Sequence, residues 1–163
     1  MLTDKHRPDP QRSLLGFSVG EVEYAVPISS VRQIVNPVPL AELPHSPAAV
    51  IGVADFRGEV VPIIDMRIRL ALEPSGHDPK TKWVLLGVRE QTVGLVVDQV
   101  TEVFGTGGVD LRSVPHLGGG EELRGIQGAA TRDGHLVFVL DVSAFESLTM
   151  NLPQQDTRTE SVP

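Results

Sequence analysis

Cysteine is absent from this sequence, and aromatic residues make up only 4% of it. Without cysteine there is no disulfide framework and no thiolate metal site, which favours a reducing compartment. So few aromatic rings exclude the stacking platforms that bind single-stranded nucleic acid. No apolar run approaches the roughly 20 residues of a membrane-spanning helix, and the polar start has no signal-peptide core. We therefore expect a cytoplasmic protein that does not insert into the membrane.

Basic residues are also in the minority. The chain has 14 Lys and Arg residues against 21 Asp and Glu residues, which gives a net charge of −7. The basic residues are scattered along the sequence and form no stripe. Phosphate backbones are repelled by such a charge distribution, so nucleic acid is excluded as an expected partner.

Glycine and proline, in contrast, are frequent, with 16 and 13 residues distributed between short apolar runs. That punctuation is typical of a β protein with many turns. The runs are rich in Val and Ile, which suit a half-buried pleated sheet. They occupy residues 14–19, 24–28, 50–54, 60–64, 84–88, 93–97 and 136–140. We predict one domain over residues 14–150, with flexible polar tails at 1–13 and 151–163.

An internal repeat organises these runs. Residues 26–35 align with residues 95–104, with apolar residues on apolar residues. Ser29 corresponds to Asp98, and both are good helix N-cap residues placed directly after a predicted strand. Apolar residues then recur at the spacing of one helical turn, so we predict a short helix after each cap, over Ser30–Val35 in the first half.

A second pair of blocks, residues 50–65 and 126–141, also aligns. Asp133-Gly134 between two apolar runs is a strong hairpin signal, because a primed turn needs positive φ at both central residues. Arg57-Gly58 is the aligned dipeptide. We therefore predict two equivalent hairpins with these dipeptides at their tips.

Asp65 and Asp141 are also aligned, and each closes a strand before a short amphipathic stretch. We predict that both cap helices. The pseudo-repeats span about residues 14–80 and 81–150, with additional residues near Gly118–Gly120. The repeat predicts a mostly β fold of two related small β-barrels, each formed by one pseudo-repeat, that share or abut a hydrophobic core.

No arrangement of polar residues indicates catalysis or metal binding. The five histidines never fall at i, i+4 spacing, so no zinc site is predicted. Asp65, Asp98 and Asp141 are sufficiently explained by helix capping, without an acid/base role. The Gly118–Gly120 stretch lacks the Lys-Ser or Lys-Thr of a phosphate-binding loop. We expect no catalytic residue, no cofactor and no metal.

The two hairpin tips differ in charge, since Arg57 corresponds to Asp133. One interpretation is a solvated arginine at an exposed turn. The other is a rigidly held planar donor that binds a carboxylate or backbone group of a partner. The first predicted helix leaves a similar choice, because Val31, Ile34 and Val35 either complete the core or form a helix-in-groove site.

Several motifs together resemble the chemotaxis coupling protein family, which has the CheW-like fold. They are Glu23-Tyr-Ala-Val-Pro-Ile with Val31-x-x-Ile34, Leu43-Pro-x-x-Pro47, Val50-x-Gly52-Val53, Phe56-Arg-Gly-x-Val-Val-Pro-Ile-Ile-Asp-Met-Arg67 and Gly94-Leu-Val-Val-Asp-x-Val100. The resemblance covers about residues 14–150. The sequence departs from the family pattern at Ala54-Asp55-Phe56, where an Asn-Leu pair is common before Arg-Gly.

The resemblance implies two five-stranded, SH3-like β-barrels around a common core. It also implies a non-enzymatic adaptor that couples chemoreceptors, the methyl-accepting chemotaxis proteins, to a CheA-type histidine kinase. The expected partners are the regulatory domain of that kinase and the cytoplasmic tip of the receptors. Such an adaptor associates with receptor arrays at the inner membrane.

The resemblance further implies where partners bind. The implied partner-binding residues are Val31, Gln33, Ile34, Arg57, Gly58, Gly94 and Val96. Two alternatives stay open at the level of sequence. One is a coupling module of the same kind in a pathway other than motility. The other is a small β-barrel enzyme or ligand carrier, which requires a concave pocket with convergent polar groups between the barrels.

Overall fold

The computed structural model describes residues 13–76, 78–105, 112 and 125–149, and strands dominate them. The strands are β1 (Ser13–Val19), β2 (Val22–Pro27), β3 (Val31–Val35), β4 (Val50–Phe56), β5 (Glu59–Asp65), β6 (Lys82–Val88), β7 (Gln91–Val97), β8 (Gln99–Gly105), β9 (Ile126–Arg132) and β10 (His135–Leu140). Within these residues, helical structure is limited to α1 (Met66–Arg69), α2 (Glu146–Thr149) and 3-10 turns at Ile28–Ser30 and Val142–Phe145. The predicted mostly β fold class is confirmed.

Some predictions fall outside the described part of the chain. The predicted tails at 1–13 and 151–163 lie there, except for Ser13, which is the first residue of β1. The Gly118–Gly120 stretch, where additional residues were predicted, also lies outside the described residues.

The strands form two five-stranded sheets. Sheet 1 has the order β8-β1-β2-β10-β9, and sheet 2 has the order β3-β6-β7-β5-β4. Neighbouring strands are antiparallel except β2 with β10 and β5 with β7, which are parallel. The strands β1–β5 of the first half correspond in order to β6–β10 of the second half. When each strand is replaced by its counterpart in this correspondence, the order of sheet 1 becomes that of sheet 2. The sheets therefore share one topology, as expected for a duplicated unit.

Each sheet combines strands from both halves of the chain, so the prediction that each pseudo-repeat forms its own barrel is wrong. Sheet 1 takes the β1–β2 hairpin from the first half and its other three strands from the second half. Sheet 2 takes the β6–β7 hairpin from the second half and its other three strands from the first half. The hairpins β4–β5 and β9–β10 are nevertheless equivalent, as predicted. Similar barrels can exchange a hairpin without any change in the pattern within each half, because both barrels offer the hairpin the same neighbours.

Each sheet surrounds a small apolar cluster to which all five of its strands contribute, and we call the two sheets barrel 1 and barrel 2. Inside barrel 1 lie Leu14, Ala25, Phe104, Ala130, Val137 and Val139. Inside barrel 2 lie Ala54, Val61, Ile63, Trp83 and Leu85, with Val35, Leu40, Ile51, Phe56 and Val96 packed against them. These clusters agree with the two small barrels that the family resemblance implies.

A short bridge pairs with one edge strand in each barrel. In barrel 2 the chain that leaves β3 returns to pair Ala41 with Val53 on β4, through two backbone hydrogen bonds of 2.9 and 2.8 Å. In barrel 1 Arg112, which follows β8, pairs with Ala129 on β9 at the same two distances. Val53 and Ala129 are aligned positions of the repeat. The same device therefore covers the equivalent sheet edge in both barrels.

A larger apolar core lies between the barrels and receives residues from both of them. Leu14 points into barrel 1, whereas the next residue, Leu15, points into this shared core. Strands that are buried on both faces need nearly continuous apolar runs. This explains why the runs in the sequence do not alternate between apolar and polar residues. Phe145, in the turn after β10, also enters the shared core and is only 3% exposed.

Two of the predicted helix caps are present. Asp65 Oδ1 accepts a hydrogen bond of 2.9 Å from the Arg67 N–H at the start of α1. Asp141 Oδ1 accepts one of 3.0 Å from the Ser143 N–H in the 3-10 turn that precedes α2. Each carboxylate satisfies a backbone donor that has no partner within the helix.

The predicted helices over Ser30–Val35 and after Asp98 are wrong, because these segments are the strands β3 and β8. Ser29 lies within a 3-10 turn that has no side-chain cap. A β-bulge interrupts the pairing of β3 with β6 and that of β8 with β1. Such a bulge places residues three apart on one face of the strand, which imitates helical spacing.

Candidate partner-binding surfaces

Arg57 and Gly58 form the exposed tip of the β4–β5 hairpin in barrel 2. Both have positive φ, 55° and 87° respectively, as a primed two-residue turn requires. Asp133 and Gly134 form the equivalent turn in barrel 1, with φ of 49° and 81°. The predicted equivalence of the tips is confirmed. The Arg57 side chain makes no ion pair or hydrogen bond with any residue that the structure describes.

Two contacts hold the Arg57 tip against barrel 2. The Gly58 N–H donates a hydrogen bond of 2.8 Å to Asp55 Oδ1. The Phe56 ring points into the barrel and meets Trp83 edge-on, with the ring centroids 6.2 Å apart and an interplanar angle of 76°. Arg57 therefore stands between one residue anchored in the interior and another held by a hydrogen bond, which fixes the backbone from which the exposed side chain projects.

A polar network lies at the same end of barrel 2. Arg32 on β3 donates to the Thr92 hydroxyl on β7, which in turn donates to Glu59 Oε2 at 3.0 Å. Arg32 Nη1 also lies 3.9 Å from that carboxylate oxygen. The Arg32 side chain passes over Gly87, where a Cβ would lie 2.7 Å from Nε. The network ties β3 to Glu59, the residue that follows the Arg57-Gly58 tip.

The barrel 1 tip is supported differently. Arg132, which precedes that tip, pairs with Glu23 at 2.8 Å and with Glu102, and its guanidinium carbon lies 5.3 Å from the centroid of the Phe104 ring. Burial lowers the pKa of Arg132, but hydrogen bonds and attraction from the two glutamates outweigh it, so the pKa is raised. Phe56 occupies the aligned position in barrel 2. One tip is thus supported by aromatic packing and the other by ion pairs, a difference that sequence reasoning missed.

The predicted site residues Val31, Gln33 and Ile34 lie on β3, an edge strand of sheet 2. Val31 packs against the shared core, whereas Gln33 is exposed and Ile34 is 41% exposed. The helix-in-groove hypothesis is wrong because the segment is extended. Arg32 lies between these residues and reaches the network at Glu59. The structure therefore brings Arg32, at the start of β3, to the end of barrel 2 that carries the Arg57 tip, whereas Ile34 pairs with Val84 farther along the barrel.

Gly94 and Val96 lie on β7, inside barrel 2. A Cβ at Gly94 would lie 2.6 Å from Ile63 Cδ1 and 3.0 Å from Leu85 Cδ2, so the missing side chain makes room for two core residues. Val96 is half-buried and packs against the same cluster. The structure thus separates these two positions from the exposed residues of β3 and the tip, and their role in partner binding stays a prediction.

Asp98 joins the two barrels and does not cap a helix. The Gly20 N–H, in the β1–β2 turn of barrel 1, donates to Asp98 Oδ2 at 2.8 Å. Arg67, in α1 directly after barrel 2, donates to both carboxylate oxygens. Partial burial raises the pKa of Asp98, but the hydrogen bonds from Arg67 and Gly20 and the charge of Arg67 outweigh it, so the pKa is lowered. We call these three residues the inter-barrel clamp.

A cleft of about 250 Å³ opens beside the clamp, and its lining is largely polar, including Asp65, Asp78 and Thr81. Ligand pockets are mostly apolar and measure roughly 300–1,000 Å³. The space between the barrels is filled by the shared core, whose buried residues are at most 8% exposed. The hypothesis of a ligand carrier with a pocket between the barrels is therefore not favoured.

Neither a metal centre nor a membrane span is formed by the described residues. Within them, no group of three or more His, Asp or Glu side chains is arranged to hold a metal ion. None of the helices in the described part of the chain has the length and apolar character needed to cross a bilayer.

Comparison with known proteins gives a consistent result. Residues 13–148 match the family model described as the CheW-like domain. A probable chemotaxis protein CheW from Rhizobium etli is 34% identical over 140 residues, which cover 85% of this chain and 89% of the relative. The chemotaxis protein CheW of Rhizobium meliloti is 29% identical over 140 residues, with coverages of 86% and 90%.

The fold also matches a solved structure. The scaffolding protein TtCheW from Thermoanaerobacter tengcongensis superposes with a TM-score of 0.72 at 23% sequence identity. The match covers 80% of this chain and 88% of that chain. The two proteins therefore share a fold across nearly all of the described residues.

Proposed function

The chain belongs to the CheW-like domain family, and on that premise we propose that it is a chemotaxis adaptor that couples methyl-accepting chemoreceptors to a CheA-type histidine kinase. Relatives that match most of the chain are chemotaxis proteins, and the matching solved structure is that of a scaffolding protein. The adaptor works by binding and carries out no catalysis. It acts in the cytoplasm, at receptor arrays on the inner membrane.

The observation that carries the proposal is the pair of equivalent tips with opposite charge. The barrels share one topology, yet barrel 2 presents Arg57 and barrel 1 presents Asp133 in the same type of turn. Opposite charges on equivalent surfaces favour different partners, because like charges across an interface are costly. One chain can therefore hold two different proteins at once, as coupling requires.

Barrel 2 has the features of a partner site. Arg57 is exposed in a turn that Asp55 and Phe56 hold, and the exposed apolar side chain of Ile34 lies farther along the same barrel, on the edge strand β3. Interfaces combine apolar contact with a few well-placed arginines. We assign Gln33, Ile34, Arg57 and Gly58 to direct contact, while Val31, Gly94 and Val96 support the surface from within.

The test is a titration of Arg57→Glu against the kinase regulatory domain and against a receptor tip fragment, measured separately. Affinity for at least one partner should fall by about 2 kcal/mol or more, because reversal places like charges across a desolvated contact. The free energy of unfolding should change by no more than about 0.5 kcal/mol, as is usual at surface positions.

Lys80→Glu is the matched control, since it makes the same change in net charge at another exposed position. This variant should bind both partners as the wild type does. Unchanged affinity of Arg57→Glu for both partners, together with full kinase activation, would contradict the proposal.

A further inference from the structure

Arg57 occupies a turn position that its own residue type does not favour. Its φ is 55°, in the left-handed region where the Cβ of an L-residue crowds the backbone. Asn, Asp and Gly tolerate this region well, and they dominate the first position of such turns. The turn at Arg57 therefore gains less from its own dipeptide than an Asp-Gly turn does, so support from outside the dipeptide contributes more.

That support comes from Asp55. Its Oδ1 accepts the Gly58 N–H at 2.8 Å, across the turn that contains Arg57. Gly58 has a φ of 87° and nothing within 4 Å of where a Cβ would stand, so packing does not hold the turn at this residue. The side chain of Asp55 is then the contact that fixes the backbone on the far side of Arg57.

The second hairpin provides an internal comparison. Thr131 occupies the position aligned with Asp55, but its hydroxyl accepts a hydrogen bond from Arg112. No described side chain accepts the Gly134 N–H. That turn contains Asp133, which suits positive φ by itself. The side-chain support is present where the turn carries an arginine and absent where the turn carries an aspartate.

We propose that Asp55 is a positioning residue for Arg57, whose carboxylate holds the Arg57-Gly58 turn in the shape that presents the guanidinium to a partner. This proposal rests on the proposed function, because it takes Arg57 as a partner contact. The Asp55 carboxylate supplies an oxygen acceptor to the Gly58 N–H, and an Asn side chain could supply one as well.

Two substitutions separate the acceptor from its charge. Asp55→Ala removes both, whereas Asp55→Asn keeps an oxygen acceptor. In Asp55→Ala the Gly58 amide should exchange its hydrogen about fivefold faster, the effect of losing one exposed hydrogen bond. Affinity for the partner that Arg57 contacts should fall by a similar factor. Asp55→Asn should restore most of both properties, and Thr131→Ala should change neither.

A double-mutant cycle distinguishes positioning from direct contact. If Asp55 acts through Arg57, then Asp55→Ala should cause no further loss of affinity in an Arg57→Ala background. A loss that persists in that background, or an unchanged Gly58 exchange rate in Asp55→Ala, overturns the proposal. If Arg57→Ala itself binds both partners normally, the proposed function is contradicted, and the Gly58 exchange rate still decides whether Asp55 holds the turn.

Discussion

The Arg67 guanidinium and the Asp98 carboxylate meet in two parallel hydrogen bonds, with Nε 2.9 Å from Oδ1 and Nη2 2.6 Å from Oδ2. Both side chains are mostly buried, with 21% and 25% exposure. Such bidentate pairs are stronger and more directional than single hydrogen bonds. Since Gly20 donates to the same carboxylate, the pair adds a polar link between barrel 1 and barrel 2 to the contacts of the shared core.

The inter-barrel clamp makes stability depend on pH. The pKa of Asp98 is lower in the folded protein than its ordinary value, so the unfolded chain binds this proton more tightly. The stabilisation is complete above the unfolded pKa, about 4, and is lost as the pH falls through the lower folded pKa. Asp98→Asn should lower the free energy of unfolding relative to the wild type at neutral pH. The difference between the two proteins should disappear in acid, where the wild-type carboxylate is protonated.

Urea unfolding of the wild type and Asp98→Asn between neutral and strongly acidic pH measures this effect. In an Arg67→Met background the same substitution should have a much smaller pH-dependent effect, because the main partner of the carboxylate is absent. An Asp98→Asn penalty that is constant across the pH range would contradict the prediction.

Phe145→Ala tests the attachment of the C-terminal turn to the shared core. The ring is 3% exposed, and its removal leaves a cavity that both barrels border. The free energy of unfolding should fall by about 3–5 kcal/mol. Leu136→Ala is the control, since Leu136 is 53% exposed and should change stability by no more than about 0.5 kcal/mol. Equal effects of the two substitutions in urea unfolding would show that Phe145 is not a core residue.

Gly94→Ala tests whether this predicted site residue acts through packing. The added Cβ would lie 2.6 Å from Ile63 Cδ1, and such overpacking should cost about 1–3 kcal/mol of unfolding free energy. Gly76→Ala is the control, because nothing lies within 4 Å of the position of its Cβ. A Gly94→Ala protein that is as stable as the wild type but binds the proposed kinase partner weakly would instead indicate direct contact.

Features that depend on neighbours in sequence could be predicted from the sequence. The Asp133-Gly134 turn and the caps at Asp65 and Asp141 each involve groups within a few residues of one another. Two related barrels followed from the repeat and the family resemblance. The exchange of hairpins could not be predicted, because a hairpin that stays with its own half and one that crosses over have the same sequence pattern.

The error at β3 has a specific physical cause. Val31 pairs with Leu86 and Ile34 with Val84, and both partners face the shared core. The bulge between Val31 and Gln33 lets residues three apart share that face, so a strand acquires a helical period. Asp98 was misassigned for a different reason, since its side-chain partners Gly20 and Arg67 lie 78 and 31 residues away.

The crossing of hairpins has a consequence for any cut in the chain. A break in the connection between α1 and β6 would leave each fragment with a hairpin separated from its native sheet and with a sheet that lacks two of its three inner strands. To complete an interior, each fragment would have to turn its hairpin into the vacant place of its own sheet, or the two fragments would have to recombine. The segment between α1 and β6 therefore connects two halves that each contribute strands to both sheets. It is not a domain boundary, although the sequence repeat suggests one.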